Sequence, residues 1–281
     1  MGRFNNNIEN KIDSSANFGM GALVSKADLR DYSVKAGAVN VTSFELTDLP
    51  GVKNQSSVGS CVAHATSSIL EWFNKKETNE HRELSTGFIY GMQGVEFNRL
   101  QSGMFLRDAC KIAQRYGDCL KETVPFNIEM PECFNELKDK LDAETYNEAA
   151  ISRVDSYARC YNDDAIKYAL MNYGPVLMGV KWYNSNKIDS NGVIEFDKSS
   201  KHGYHGIMVY GFNETGWLCQ NSWGKFWGKS GRFVLPYKYG YTEAWSFVDA
   251  KNSDIYKPKR STIFDIIYRF INSIINLFYK K

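Results

Sequence analysis

Apolar residues in this chain change period about midway along it. From Cys61 to about Asn74, Val62, Ala65, Ile69, Trp72 and Phe73 recur at helical spacing, predicting a buried helix that opens directly after the turn-forming pair Gly59-Ser60. Leu84–Met92 then predicts a short helix, and Gly103–Gly117 a longer one closed by Gly117. Residues 120–150 read as a polar, partly helical connection. Beyond Ser152 the texture turns to strands, interrupted by a short helix over Asp163–Tyr173. Strands are expected at Gly174–Tyr183, Val193–Phe196, Gly206–Phe212, Gly216–Asn221 and Gly231–Pro236, with turn residues between them. A helical first lobe followed by a β-rich second lobe places the fold in the α+β class.

The flanks differ from this body. Residues 1–27 are rich in Asn, Ser and Gly without periodicity and read as an extended, partly ordered leader, so a folded domain is expected from Asp28 to about residue 250. From Ser261 the apolar Ile263, Phe264, Ile267, Phe270, Ile271 and Ile274 face away from Asp265, Arg269, Asn272 and Asn276, predicting an amphipathic helix. It is too polar and marginally too short for a membrane span. Tail 261–281 is expected either to dock on a partner protein or on the domain itself, or to lie in a membrane interface.

At 281 residues the chain can bury a full core, and 43% hydrophobic, 14% aromatic and 23% charged residues describe a globular protein. Its net charge of +2 divides unevenly: residues 251–281 hold seven basic and two acidic residues, the other 250 hold 27 and 30. The basic character is therefore a property of the tail, and a nucleic-acid-binding body is excluded as an expectation. No apolar signal core appears near Met1, and a nucleophilic Cys61 leaves five cysteines, an odd number that cannot all pair internally. Reduced thiols and a cytoplasmic setting are the expectation.

The chemistry gathers in two distant stretches. Gln55-Ser-Ser-Val-Gly-Ser-Cys61 puts a thiol in the first turn of a helix, where unpaired N–H groups and the dipole favour thiolate. About 150 residues later come His205-Gly-Ile-Met-Val-Tyr-Gly and Gln220-Asn-Ser-Trp-Gly224. Together they supply a thiol, an imidazole and an orienting amide. His202 is the one serious rival as base; His81 reads as a loop residue, and His64, three residues after Cys61, as a helix-packing residue. No second compact ligand pair accompanies Cys61 and His64, so no metal and no cofactor is expected.

Val52-Lys-Asn-Gln55, Gly59-Ser-Cys61, His205-Gly206 and Asn221-Ser-Trp-Gly224 resemble the papain-like (C1) cysteine peptidases, nearest to compact bacterial and phage-type members, over roughly Asp28 to Tyr239. The resemblance implies two lobes with the active site in the cleft between them. It implies Cys61 as nucleophile, His205 as base and acid, Asn221 as orienter and Gln55 as oxyanion donor, with Trp223 shielding the His205–Asn221 bond and lining the substrate site. Ser102 and Gly103 fall near the glycine edge that holds substrate backbone in this family; the plain alternative is a helix N-cap and a turn. Secreted members usually carry a disulfide cysteine where this chain has Val58, and the family as a whole usually has a Trp where this chain has Val62. The implied activity is hydrolysis of protein or peptide substrates through an acyl-thioenzyme. A docking protein that keeps the fold and works through its tail is the alternative.

Overall fold

Helix α1, Cys61–Thr78, is apolar or small on nearly every face of its first turns, and such a helix is stable only when surrounded. Residues 61–74 are all buried. It ends where polar residues begin, with Asn79 in the left-handed region (φ 58°) donating its N–H to Lys75 O at 2.9 Å. The computed structural model describes residues 18–26, 28, 31–99, 102–126, 137 and 141–248. The tail expectations for 251–281 lie outside these residues, as does most of the expected leader.

Two further helices complete the first lobe. In α2, Thr86–Phe97, the Ser85 side chain accepts from Phe88 N. In α3, Leu106–Arg115, the run ends as Tyr116 and Gly117 both donate to Ile112 O, with Gly117 at φ 81°. The expected order of lengths is reversed: α2 has 12 residues and α3 has 10. The Gly-rich, two-sided apolar run of α2 hid its extent. Helix α4, Ala143–Ala149, falls in the polar connection. Ile69, Phe88, Met92, Leu106 and Ile112 form the centre of this lobe's core.

The second lobe is an antiparallel sheet. Its strands are β4 (Ser156–Cys160), β5 (Val176–Tyr183), β8 (His202–Phe212), β9 (Gly216–Gln220), β10 (Arg232–Pro236) and β11 (Glu243–Val248), in the order β10-β9-β8-β5-β11-β4, with β2 (Phe44–Glu45) also paired to β8. Helix α5, Asp163–Asn172, packs on it after an Asn162 cap, and Ile166, Val180, Ile207 and Phe233 belong to one buried cluster. A side hairpin joins β6 (Lys187–Ile188) to β7 (Ile194–Glu195). Two short strands, β1 (Ala22–Leu23) and β3 (Met104–Phe105), pair in parallel apart from the main sheet.

Strand β11 has no counterpart among the strands expected from sequence, although it lies inside the sheet between β5 and β4. Its polar residues Glu243 and Ser246 are as buried as Trp245 and Phe247, so neither alternation nor an apolar run marks it. Strand β8 begins four residues before the expected Gly206, its first residues being polar and partly exposed.

Candidate active site

Cys61 is the first residue of α1, following a tight turn in which Val58 N donates to Gln55 O and Ser60 N to Val58 O. Opposite it runs β8, whose Gly206 packs so closely on the first turn of α1 that a Cβ there would crowd Val62. This approach lets Gly206 N–H donate to Cys61 Sγ at 3.3 Å. His205, the preceding residue, is paired in the sheet with Val180 of β5.

Asn221 follows the end of β9, and its backbone N–H donates to Gly231 O at 2.9 Å. Its Oδ1 accepts from His205 Nε2 at 2.7 Å and from Ser222 N at 2.8 Å. With its proton on Nε2, the imidazole presents Nδ1 as a base, and that atom is buried without a hydrogen-bond partner among the described residues. The ring is enclosed by Trp223 and Trp182, with centroids at 4.8 and 5.2 Å. Trp223 thus lies against the ring that bonds Asn221.

Gln55 and the turn before Cys61 are tied to this same loop. Gln55 N donates to Ser222 O at 2.8 Å, Gly224 N to Lys53 O at 2.9 Å, and Asn54 bridges Trp223. The Gln55 side chain is fully buried; its Oε1 accepts from Ser222 Oγ at 2.5 Å, and Nε2 donates to Val58 O at 2.7 Å and to Gly19 O at 2.6 Å. Ser222 therefore fixes which way the amide points. Sequence reasoning passed over this serine, although it stands inside the Asn221-Ser-Trp-Gly run.

Several expectations change. Gly103 N–H is turned inward to Tyr90 Oη at 3.1 Å, and Met104, the first residue of β3, presents its N–H to Gly21 O at 2.7 Å. The Gly103 N–H is thus taken up within the protein, and Ser102 lies against the turn at Gly59. His202 is exposed and stacks edge-on with Tyr183 and Tyr204, outside the site; His81 is also exposed. His64 is buried, its Nδ1 bonded to Ser60 O at 3.0 Å and its ring edge-on to Phe126.

The expected lowering of the thiol pKa does not hold in this closed site. Burial pushes Cys61 up, and the N–H groups of Gly206, Gly21 and Val62 offset it only partly. Burial likewise holds His205 down at about 4, against the upward pull of the Asn221 bond. Desolvation outweighs the helix start, so thiol and imidazole are both neutral here. Cys110, Cys119, Cys160 and Cys219 are, like Cys61, free and buried.

A family model, papain family cysteine protease, matches residues 39–243. An uncharacterised peptidase C1-like protein, L477, of Acanthamoeba polyphaga mimivirus is 27% identical over 80% of this chain and 83% of its own length. Mouse cathepsin K is 26% identical, over 66% of this chain and 55% of that protein, and vignain of Phaseolus vulgaris is 27% identical over 64% and 49%. The chain thus spans about half the length of those two relatives. Among solved structures, xylellain, a cysteine protease from Xylella fastidiosa, superposes with a TM-score of 0.71 at 24% identity, over 83% of this chain and 97% of that one. Digestive procathepsin L 3 of Tenebrio molitor gives 0.60 at 18%, over 83% and 74%. With a helical lobe, an antiparallel sheet and a thiol, imidazole and amide gathered from two distant stretches, the chain belongs to the papain family of cysteine proteases.

Proposed function

We propose that the chain hydrolyses peptide bonds as an endopeptidase through an acyl-thioenzyme, with Cys61, His205, Asn221 and Gln55 in the roles of nucleophile, acid–base, orienter and oxyanion donor. The observation that carries the reading is the 2.7 Å bond from His205 Nε2 to Asn221 Oδ1, which leaves Nδ1 without a partner among the described residues, in the residue just before Gly206, whose N–H bonds the Cys61 sulfur. Cys61 passes its proton to Nδ1 and its sulfur attacks the substrate carbonyl carbon. The developing oxyanion is met by the Gln55 amide and the Cys61 N–H at the start of α1, each donor contributing about 3 kcal/mol in the transition state. The imidazolium then gives its proton to the departing amine as the C–N bond breaks. In the second half Nδ1 takes a proton from water, the oxygen attacks the thioester, and as the C–S bond breaks the imidazolium gives that proton to the sulfur, returning thiol and neutral imidazole.

Cys61→Ala tests this directly. Hydrolysis of a proteome-derived peptide library, read by mass spectrometry, and labelling at position 61 by a thiol-directed epoxide are both expected to vanish. Residual hydrolysis in the variant rejects the assignment, and a wild type that cleaves nothing while Cys61 is accessible favours a docking protein on the same fold. The free, buried thiols support a reducing, cytoplasmic setting as part of the same proposal.

A further inference from the structure

Strands β5 and β8 carry their side chains in rows, because residues directly opposite each other in an antiparallel pair share a face. One face bears the rows Gly179/Gly206, Lys181/Tyr204 and Tyr183/His202. The first row lies against the start of α1, where Gly206 N–H donates to Cys61 Sγ at 3.3 Å. From there α1 follows β8 in one direction, and His64, Ala65 and Ser68 line a small cavity with Gly206 and Met208. Cys61 is the first residue of the helix, so α1 does not extend over the sheet in the opposite direction. Lys181, Tyr204 and His202 are accordingly exposed, whereas Met208 is buried.

Ring contacts order the outer rows. His202 meets Tyr204 edge-on, with centroids 5.6 Å apart and planes at 88°, and meets Tyr183 at 5.6 Å. Tyr183 in turn packs on Phe196 and Tyr239. Tyr204 is thus backed by a ladder of rings, and Lys181, directly across from it, adds a positive charge. None of the residues in these rows is acidic. Two residues along a strand span about 7 Å, so the Lys181/Tyr204 row stands about two residues of an extended peptide from the point where the Cys61 sulfur meets a carbonyl. An ammonium and a phenol hydroxyl side by side are both donors, and together they suit a carboxylate.

We propose that Lys181 and Tyr204 are specificity-determining residues, selecting substrates that carry Asp or Glu about two residues from the scissile bond. The placement stands on the strand register, whereas its consequence for cleavage rests on the peptidase reading. Because the exposed rows extend from Gly206 in one direction, the preference falls on one side of the cut. Solvent screening of an exposed charge pair keeps the selectivity to roughly threefold.

The test compares the full-length wild type with Lys181→Glu, an exchange at an exposed position, each digesting a proteome-derived peptide library read by mass spectrometry. The wild type should enrich Asp and Glu roughly threefold at one position about two residues from the cut. Lys181→Glu should deplete them there and enrich Lys and Arg instead, and Tyr204→Phe, lacking the hydroxyl, should weaken the acidic preference. A wild type without that preference, or an identical profile in Lys181→Glu, overturns the proposal. A second measurement does not depend on hydrolysis: the rate of Cys61 alkylation by anionic iodoacetate relative to neutral iodoacetamide, at low salt, by peptide mass mapping. This ratio should fall roughly threefold in Lys181→Glu. It should not change in Lys167→Glu, whose lysine lies on α5 over Phe212 and Tyr237. A fall confined to Lys181→Glu, with no peptide cleaved by either protein, keeps Lys181 beside the thiol and rejects the peptidase reading. An unchanged ratio in Lys181→Glu, or an equal fall in Lys167→Glu, overturns the placement and the proposal with it.

Discussion

Replacing His64 with glutamine should flatten the acid side of the stability profile. Burial holds the His64 imidazole at about 3, against 6.5 for an exposed one, despite the carbonyls of Ser60 and Asn54 that favour its charged form. The positive charges that face it, Lys53 and a protonated His205, push in the same direction as burial. Above pH 6.5 folded and unfolded chains both hold the ring neutral and it makes no difference. As pH falls below 6.5 the unfolded chain binds a proton that the folded one refuses until about pH 3, so stability is lost across that window. Each tenfold step in proton concentration is worth about 1.4 kcal/mol, which puts the loss between pH 8 and pH 5 at about 2 kcal/mol for this residue. His205, held at about 4, adds a similar amount. Glu71, Asp108 and Asp118, whose carboxyls burial pushes up, act oppositely by binding protons in the folded state. The variant isolates the His64 share, because a glutamine amide can still donate to Ser60 O but does not titrate. Urea unfolding at pH 8 and pH 5 should show the drop in unfolding free energy smaller in His64→Gln by about 2 kcal/mol, with the urea slope unchanged. Equal drops in the two proteins would refute the reasoning and show that His64 is solvated or protonated in the fold.

Ser222→Ala removes the hydroxyl bonded to Gln55 Oε1, releasing the amide to rotate. One such hydrogen bond is worth about 1 kcal/mol, so kcat in a fluorogenic peptide assay should fall roughly fivefold with KM little changed; a change confined to KM would contradict an oxyanion-side role. Lys53→Met strands the buried Glu71, which now accepts from Lys53 Nζ at 2.6 Å and from Leu84 N at 2.7 Å. Leaving one member of a buried pair alone costs about 3 to 5 kcal/mol, and calorimetry should show the midpoint lower by roughly 10 °C; a shift within a degree would mean that Glu71 protonates without cost.

Much of the site was legible because its chemistry is carried by local runs. A cysteine after Gly59-Ser60 at the head of an apolar helix, a histidine entering an apolar strand and an asparagine at a strand end are each visible within about ten residues. The helices of the first lobe were legible for the same reason, since period and caps are local. Strand β11 was not, because its Glu243 and Ser246 are buried among apolar neighbours, the carboxylate accepting from the distant Ser25 N. Nor was Ser222, whose role exists only once Gln55, 167 positions away in sequence, is beside it.

The amino-acid sequence by itself determined the two lobes, the candidate site residues and the order in which they appear. Only the tertiary structure decided the state they are in. Protonation depends on desolvation, and desolvation depends on what covers the group. Gly19 and Gly21 look in the sequence like any other flexible leader, yet their missing Cβ atoms let the backbone close over Cys61. The helix start that should favour a thiolate is thereby opposed by burial, which pushes the Cys61 thiol up.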